Sequence, residues 1–307
     1  MINDSLLKLF VWFRFFVKLI SVIFASKSEE MKIKNFILSG LAMITLSMNA
    51  QELPKVSPNN NVEQVIGLTH VKIKYSRPSV KGRVIFGELV PYNEVWRLGA
   101  NEPTTITTDQ VLTFGKQDLK PGTYAVFAIP GEKEWTVVFN TDSEQWGAGS
   151  YDEAKNIVSL KVPVEKVTNV ETLTILFSNL KEDSGELTIE WSNVKVNVPF
   201  KTDTKSIAEA NIEAAIEKGE DLYKVYYYAA SYYRDQKDLK KAMNLIDNSI
   251  KQKDYYGNNF MKARILADMD KKQEAVEYGT KAAKQAKEEE KEGWVEYINK
   301  NVAEWSK

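Results

Sequence analysis

Basic side chains recur along one short stretch of the chain, YSRPSVKGRVIFGELVPYNEVWRLGANEPTTI, which runs from residue 75 to residue 106. Guanidinium groups bind a carboxylate or a phosphate through two parallel hydrogen bonds, so this stretch could hold an anion. The same groups could instead pair with nearby glutamates and fix a long loop between strands. The basic residues are Arg77, Lys81, Arg83 and Arg97, and the glutamates are Glu88, Glu94 and Glu102.

The segment RLGANE, at residues 97–102, is the strongest candidate within this stretch. It places the amide of Asn101 and the carboxylate of Glu102 beside Arg97, and its glycine allows a close approach of the backbone. We therefore predict that these three polar side chains lie together at one edge of the domain, with Arg77 or Arg83 within reach. A ligand pocket is expected beside them.

Three aromatic residues form a second group of candidates: Trp96, Trp146 and Tyr151. Exposed rings near polar groups are typical of sugar-binding sites, because a ring stacks on the C–H face of a sugar while polar groups bind its hydroxyls. The alternative is that these large rings fill the core. Small residues in the loop-like segment WGAGSYDE would leave the ring of Trp146 open to a ligand.

Catalytic chemistry has few candidates in this sequence. The chain has no cysteine and one histidine, His70, which excludes a thiolate nucleophile, a disulfide and a multi-histidine metal site. Acids are available for glycoside cleavage, but their spacing selects no pair. The spacing of Ser79 and Lys81 is too common to indicate a Ser–Lys pair. We therefore assign no catalytic residue, no metal ligand and no cofactor.

Composition limits the class of partner. The chain has 307 residues, with 41 basic and 42 acidic side chains and a net charge of -1. Nucleic-acid-binding proteins usually carry a basic excess, so a nucleic-acid partner is not expected. The apolar fraction of 43% allows a packed core, and the length suits about two domains.

The N-terminal region has the pattern of an export signal. From Met31, two lysines precede an apolar run that ends at the small residue Ala50, as in a signal peptide. A short membrane anchor is the alternative. Residues 1–30 hold a second apolar segment that contains charges, and we interpret them as an upstream extension; a basic helix at the membrane surface is the alternative. We predict a periplasmic or secreted protein without a membrane anchor after cleavage.

The rest of the chain divides into two parts with different hydrophobic periods. Residues 51–200 alternate apolar and polar side chains between close turn signals, which favours an all-β antiparallel sandwich or barrel. Residues 201–307 have the helical period and predict a separate all-α domain, with helices joined near Lys237 and flanking helices near 204–218 and 291–305. Ala242 and Ala275 are 33 residues apart in this part. This spacing is close to the 34-residue tetratricopeptide repeat, and a plain antiparallel helix bundle is the alternative.

Three sequence pieces carry a resemblance to a known family. They are the stretch at residues 75–106, then LKPGTYAVFAIPGEKEWTVVFN, then QWGAGSYDE. Together they resemble an exported bacterial family known as domain of unknown function 2911, over roughly residues 55–198. The resemblance supplies no activity, and it leaves the helical tail outside.

Three functions remain open at this point. The first is non-enzymatic binding of a small polar ligand or an envelope glycan, with a protein partner on the helical tail. The second is a carboxylate-dependent hydrolase of the glycosidase type, and the third is a purely structural module of the envelope. Geometry separates them: an arginine-lined pocket favours the binder, two facing carboxylates favour the hydrolase, and charges all buried in pairs favour the structural module.

Overall fold

A computed structural model of the chain describes residues 54–145 and 147–307. The predictions for the extension at 1–30 and the signal peptide at 31–50 lie outside these residues, and so does the predicted role of Trp146. Among the helices of the described residues, none is long and apolar enough to cross a membrane.

Nine strands form the β part of the chain, and all of their pairings are antiparallel. Their bounds are β1 Asn59–Ile66, β2 Thr69–Ser76, β3 Thr105–Thr108, β4 Leu112–Phe114, β5 Gln117–Leu119, β6 Gly122–Pro130, β7 Glu134–Asn140, β8 Asn156–Ser178 and β9 Ser184–Thr202. Their order across the sheet is β1-β2-β3-β6-β7-β8-β9-β4-β5. The predicted all-β antiparallel class is confirmed.

Strand β8 joins two halves of this sheet. Up to Pro163 it pairs with β7, and from Val164 it pairs with β9. Strands from the two outer regions of the sheet, β2 and β5, also form hydrogen bonds to β8. The hydroxyl of Tyr75 on β2 accepts a hydrogen bond from the backbone N–H of Ile175, and Gln117 on β5 bonds to the backbone of Ser159. The sheet therefore folds over on itself and encloses its core.

Alternation along the strands separates the core from the surface. On β2, Val71, Ile73 and Tyr75 are buried, while Lys72 and Lys74 are exposed, as the period of two requires. Side chains from β2, β4, β8 and β9 share one apolar cluster. Burial of this shared cluster is what holds the two halves of the sheet together.

Six helices follow the sheet and confirm the predicted helical part. Their bounds are α1 Thr204–Lys218, α2 Leu222–Asp235, α3 Leu239–Gln252, α4 Tyr256–Asp268, α5 Lys272–Glu288 and α6 Glu292–Trp305. Gly219 ends α1 in the left-handed conformation, with φ of 75°, where a glycine has no steric penalty. Lys237 lies in the turn between α2 and α3, as predicted from the sequence.

The 33-residue spacing has structural counterparts. Ala242 in α3 and Ala275 in α5 are both fully buried. The turn residues before them, Lys237 and Asp270, are also 33 apart, and both have a positive φ, of 63° and 60°. The tetratricopeptide-like assignment itself stays a prediction, as does the division of the chain at residues 200 and 201.

No loop separates the last strand from the first helix. Strand β9 ends at Thr202, Asp203 caps the helix, and α1 begins at Thr204. The hydroxyls of Thr202 and Thr204 lie 3.0 Å apart, and Thr204 also donates to the backbone carbonyl of Glu182 in the β8–β9 turn. The junction is therefore buried and hydrogen-bonded.

Candidate functional site

A cleft of about 370 Å³ opens beside the charged stretch that the sequence singles out. We call it the arginine cleft. Four of the predicted site residues line it, and one further ring comes from strand β9. These residues are Lys81, Arg83, Trp96, Arg97 and Trp191.

The loop that carries four of these residues, between β2 and β3, is held by apolar anchors. Val80, Ile85, Val90 and Leu98 are buried in the core of the sheet. Trp96 exchanges two backbone hydrogen bonds with Ala128 of β6, at 2.8 and 2.9 Å. The loop is thus ordered by packing and by pairing with the sheet, although it is longer than a hairpin requires.

The backbone of this β2–β3 loop is strained at several residues. Lys81, Asn93, Leu98 and Asn101 all have positive φ, between 50° and 63°. For a leucine this conformation costs roughly 1–2 kcal/mol, and such strain concentrates at binding and catalytic sites. Gly99 is a required glycine, because a side chain there would begin 3.0 Å from the backbone oxygen of Ser76.

The floor of the arginine cleft is aromatic. The rings of Trp96 and Trp191 are stacked, with centroids 5.7 Å apart and planes at 19°. Phe86 meets both rings of this pair edge-on, and Trp135 meets Trp96 edge-on. Trp96 remains half-buried and lines the cleft, while its indole N–H donates to the backbone oxygen of Gly99.

Two buried N–H donors beside the cleft have no acceptor among the residues that the structure describes. The first is the Nε of Arg97. The second is the indole Nε1 of Trp191, a residue that is only 2% exposed. Most buried donors in folded proteins have a partner, so an unpartnered pair at one cleft is unusual. Gly147 lies against Arg97, and a side chain there would begin 3.2 Å from its Nη1.

The other two cations of the cleft differ in how firmly they are held. Arg83 donates from Nε to the backbone oxygen of Val80 at 3.0 Å and from Nη2 to that of Ser79 at 2.5 Å. Lys81 is exposed, and its backbone N–H donates to the carboxylate of Glu171 at 2.9 Å. Within residues 54–145 and 147–307, neither these two side chains nor Arg97 forms an ion pair, and no Asp or Glu lines the cleft.

Among the described residues, the other basic and polar members of the predicted site do not line the cleft. Arg77 donates to the backbone oxygen of Leu173 and to the hydroxyl of Thr174, both at 3.0 Å, so it ties the end of β2 to β8. Asn101 donates to the backbone oxygen of Ser57 at 3.0 Å. Glu102 is half-buried outside the lining. Of the predicted trio, only Arg97 thus lines the cleft.

Tyr151 belongs to a different face of the sheet. Its ring packs on Phe127, with centroids 5.1 Å apart, and its hydroxyl accepts from Asn156 at 2.6 Å. Phe127 points away from the main core that Val126 and Ala128 enter, because neighbouring strand residues face opposite sides. Tyr151 therefore covers the outer face of β6 and β7.

Trp191 is the residue of the candidate site that sequence reasoning missed. The alternation of Leu187, Ile189 and Trp191 along β9 predicts that this ring points inwards. Nothing in the sequence shows that β9 passes beside a loop roughly a hundred positions earlier. No group of three or more metal-binding side chains occurs among the residues that the structure covers.

A comparison with known families identifies the β part of the chain. Residues 57–200 match the family model described as Protein of unknown function (DUF2911). This match confirms the resemblance carried by the three sequence pieces, and it ends just before the helices. Neither a curated protein nor a solved structure matches the chain.

Proposed function

We propose that this chain, whose β domain matches a family with no described activity, is an exported, non-enzymatic binding protein for a small anion. The ligand is a carboxylate or a phosphate held in the arginine cleft. One observation carries the proposal: three cationic side chains line a cleft to which the described residues contribute no carboxylate, and the Nε of Arg97 has no acceptor among those residues.

Electrostatics supports an anion in particular. Cations that share a cleft repel each other when no carboxylate lies between them, and an anionic ligand relieves this repulsion. Arg97 lines the cleft, and a guanidinium group suits two-point contact with a carboxylate or phosphate.

The other candidate functions have less support. A glycosidase would need two acids across a cleft, and the described part of this lining has none. In a purely structural module, the charged side chains of this stretch would be buried in ion pairs. Arg97, however, has no ion pair among the described residues. An envelope glycan would need an open ring face, and Trp191 already covers one face of Trp96.

Export and a protein partner complete the proposal. The signal-like segment at residues 31–50 supports export to the periplasm or beyond. The helical tail supports a protein partner, since packed helix pairs with exposed aromatic side chains are suited to protein contacts.

A thermal-shift screen of the protein tests the anion site. Dicarboxylates and phosphates should raise the unfolding temperature, because a ligand at about a hundred times its Kd stabilises a protein by roughly 2.7 kcal/mol. Neutral sugars should have no effect. The variant Arg97→Gln should lose the response, and Lys116→Gln, which removes an exposed cation elsewhere in the β domain, should keep it. Equal responses of both variants would overturn the assignment.

A further inference from the structure

The helical tail contains a second concave surface, distinct in its lining from the arginine cleft. It measures about 370 Å³ and lies between α2, the α3–α4 turn, α4 and α6. Six tyrosines line it together with Phe260 and Trp294. We call this surface the tyrosine groove.

Positive charge is concentrated in the tyrosine groove. Lys224, Lys253 and Arg264 line it, and no Asp or Glu of the described residues does. Lys224 is paired with Asp221 at 2.8 Å. Lys253 and Arg264 form no ion pair within the described part of the chain, where Lys253 lies 4.9 Å from the centroid of Tyr223.

Other cations of the tail differ in their surroundings. Lys262 is paired with Asp247 and Lys281 with Asp254, each at 2.7 Å, whereas an exposed lysine such as Lys284 has no ion pair within the described residues and lines neither of the tail's aromatic surfaces. Lys253 and Arg264 stand among aromatic rings, and this surrounding marks the groove as a place for an external negative charge.

Neighbouring rings of the groove meet at steep angles, so they leave gaps between them and do not form one flat aromatic surface. Tyr223, Tyr255, Tyr256, Trp294 and Tyr297 meet in sequence at interplanar angles between 52° and 88°. A sugar ring needs a parallel aromatic face, whereas single side chains fit between rings that meet edge-on. The groove also presents exposed Tyr and Trp beside Arg and Met, which is the composition enriched in protein interfaces.

The far side of the same rings has the opposite charge. A neighbouring cleft that shares Trp294 and Tyr297 is bordered by Glu290 and Glu292. Those carboxylates repel an acidic ligand at this side. A ligand should therefore place its negative charge at the end near Lys253 and Arg264. Its apolar groups should lie on the rings towards Trp294.

We propose that the tyrosine groove binds a short acidic segment of a partner protein, with its carboxylates at Lys253 and Arg264 and its apolar side chains between the rings. This inference rests on the proposed protein-partner role of the tail, and it names the chemistry that the partner must carry. It does not depend on the arginine cleft.

A peptide array tests the inference with the full chain. Its peptides combine Glu or Asp with Phe, Leu or Trp, and each has a matched peptide in which Gln or Asn replaces every acid. Binding of the best acidic peptide is then measured by fluorescence polarisation. We expect acidic peptides to bind and their amide versions not to bind. Raising the ionic strength should weaken the affinity, because salt screens exposed charges.

Variants locate the binding. Lys253→Gln and Arg264→Gln should each weaken the peptide roughly tenfold, since each removes one partner of an interfacial charge pair. Lys284→Gln, which removes an exposed cation outside the groove, should leave the affinity unchanged. Lys253 is exposed, so its variant should fold even if Arg264→Gln does not. Arg97→Gln should bind the peptide normally, which separates this test from that of the arginine cleft.

Several results would overturn the inference. It is wrong if no acidic peptide binds, if the amide versions bind equally well, or if Lys253→Gln keeps the full affinity. It is also wrong if a uronic-acid oligosaccharide binds in this groove where the peptides do not, because the ligand would then be an acidic glycan.

Discussion

Two arginines of the same stretch have opposite surroundings. Arg77 is fixed by hydrogen bonds to Leu173 and Thr174, so it belongs to the framework of the sheet. Arg97 has a buried Nε without an acceptor, and it lines the cleft. In the sequence both are basic residues among aromatic and small neighbours, so only the fold distinguishes them.

Substitution of these two arginines should separate stability from binding. Arg77→Gln should lower the free energy of unfolding by about 1–3 kcal/mol, because the acceptor oxygens on β8 lose their donors. Arg97→Gln should change it by under about 1 kcal/mol, because no hydrogen bond is lost. Urea unfolding of both variants, compared at equal m-values, measures the difference. A large loss for Arg97→Gln would place that side chain in the framework.

Tyr255 gives the tail a defined dependence on alkaline pH. Burial, assisted by neighbouring tyrosines, raises its pKa from 10.0 to about 12. The folded state thus holds this proton when the unfolded state has lost it. The stabilising contribution is complete below pH 10.0 and is lost as the pH rises through about 12.

The variant Tyr255→Phe tests this dependence. Its free energy of unfolding should fall less steeply than that of the wild type between these two pH values, because it has no phenol to ionise. Tyr297→Phe, at a ring that is 49% exposed, is the control and should follow the wild type. Parallel curves for the wild type and Tyr255→Phe would contradict the assignment.

The chemistry of the cleft could be predicted only in part. Lys81, Arg83, Trp96 and Arg97 are close in sequence, and a local pattern of charge and aromatic residues reveals such a group. Trp191 comes from a distant strand, and whether a donor has an acceptor depends on tertiary contacts. These two features therefore could not be read from the sequence.

At the scale of elements, alternation and turn residues predicted most strands and helices. Strand β8 is the exception, because the sequence suggests two strands there and the structure has one of 23 residues. The change of partner at Pro163 explains the difference. Proline has no N–H for a ladder, and it lies where the pairing with β7 ends and that with β9 begins.

The first helix should depend on its cap. The side chain of Asp203 accepts a hydrogen bond from the backbone N–H of Ser206 at 3.1 Å. Asp203→Ala should lower the free energy of unfolding by about 1 kcal/mol, whereas Asp203→Asn should retain most of it, since Asn also caps helices well. Thermal or urea unfolding measures both. Equal losses for the two variants would show that the charge, and not the cap, is what matters.

At the scale of the molecule, the two hydrophobic periods predicted a β part followed by a helical part, and the structure has both. The sequence did not show how closely the parts meet. A side chain at Gly67, in the β1–β2 turn, would collide with Thr204 of α1 and with the backbone of Glu182. Gln236, just after α2, donates to the carboxylate of Glu182 at 3.0 Å.

Gly67→Ala should therefore weaken the packing of the β1–β2 turn against α1. The matched control is Gly82→Ala, because Gly82 has a similar positive φ, 70° against 57°, and open space around it. Both variants should lose roughly 1–2 kcal/mol from backbone strain. Gly67→Ala should lose clearly more, and its calorimetric unfolding should broaden or split. Equal losses of unfolding free energy in the two variants would mean that the β1–β2 turn can shift without disturbing α1.

Strand β8 also has a consequence for the time course of folding. Neither half of the sheet can be completed without it, and the bond between Tyr75 and Ile175 closes a loop of 100 residues. Such distant pairings are formed against a large loss of chain entropy, and proteins rich in them fold slowly. The β domain should thus remain unfolded until β8 and β9 have been synthesised and should then fold as a single cooperative unit.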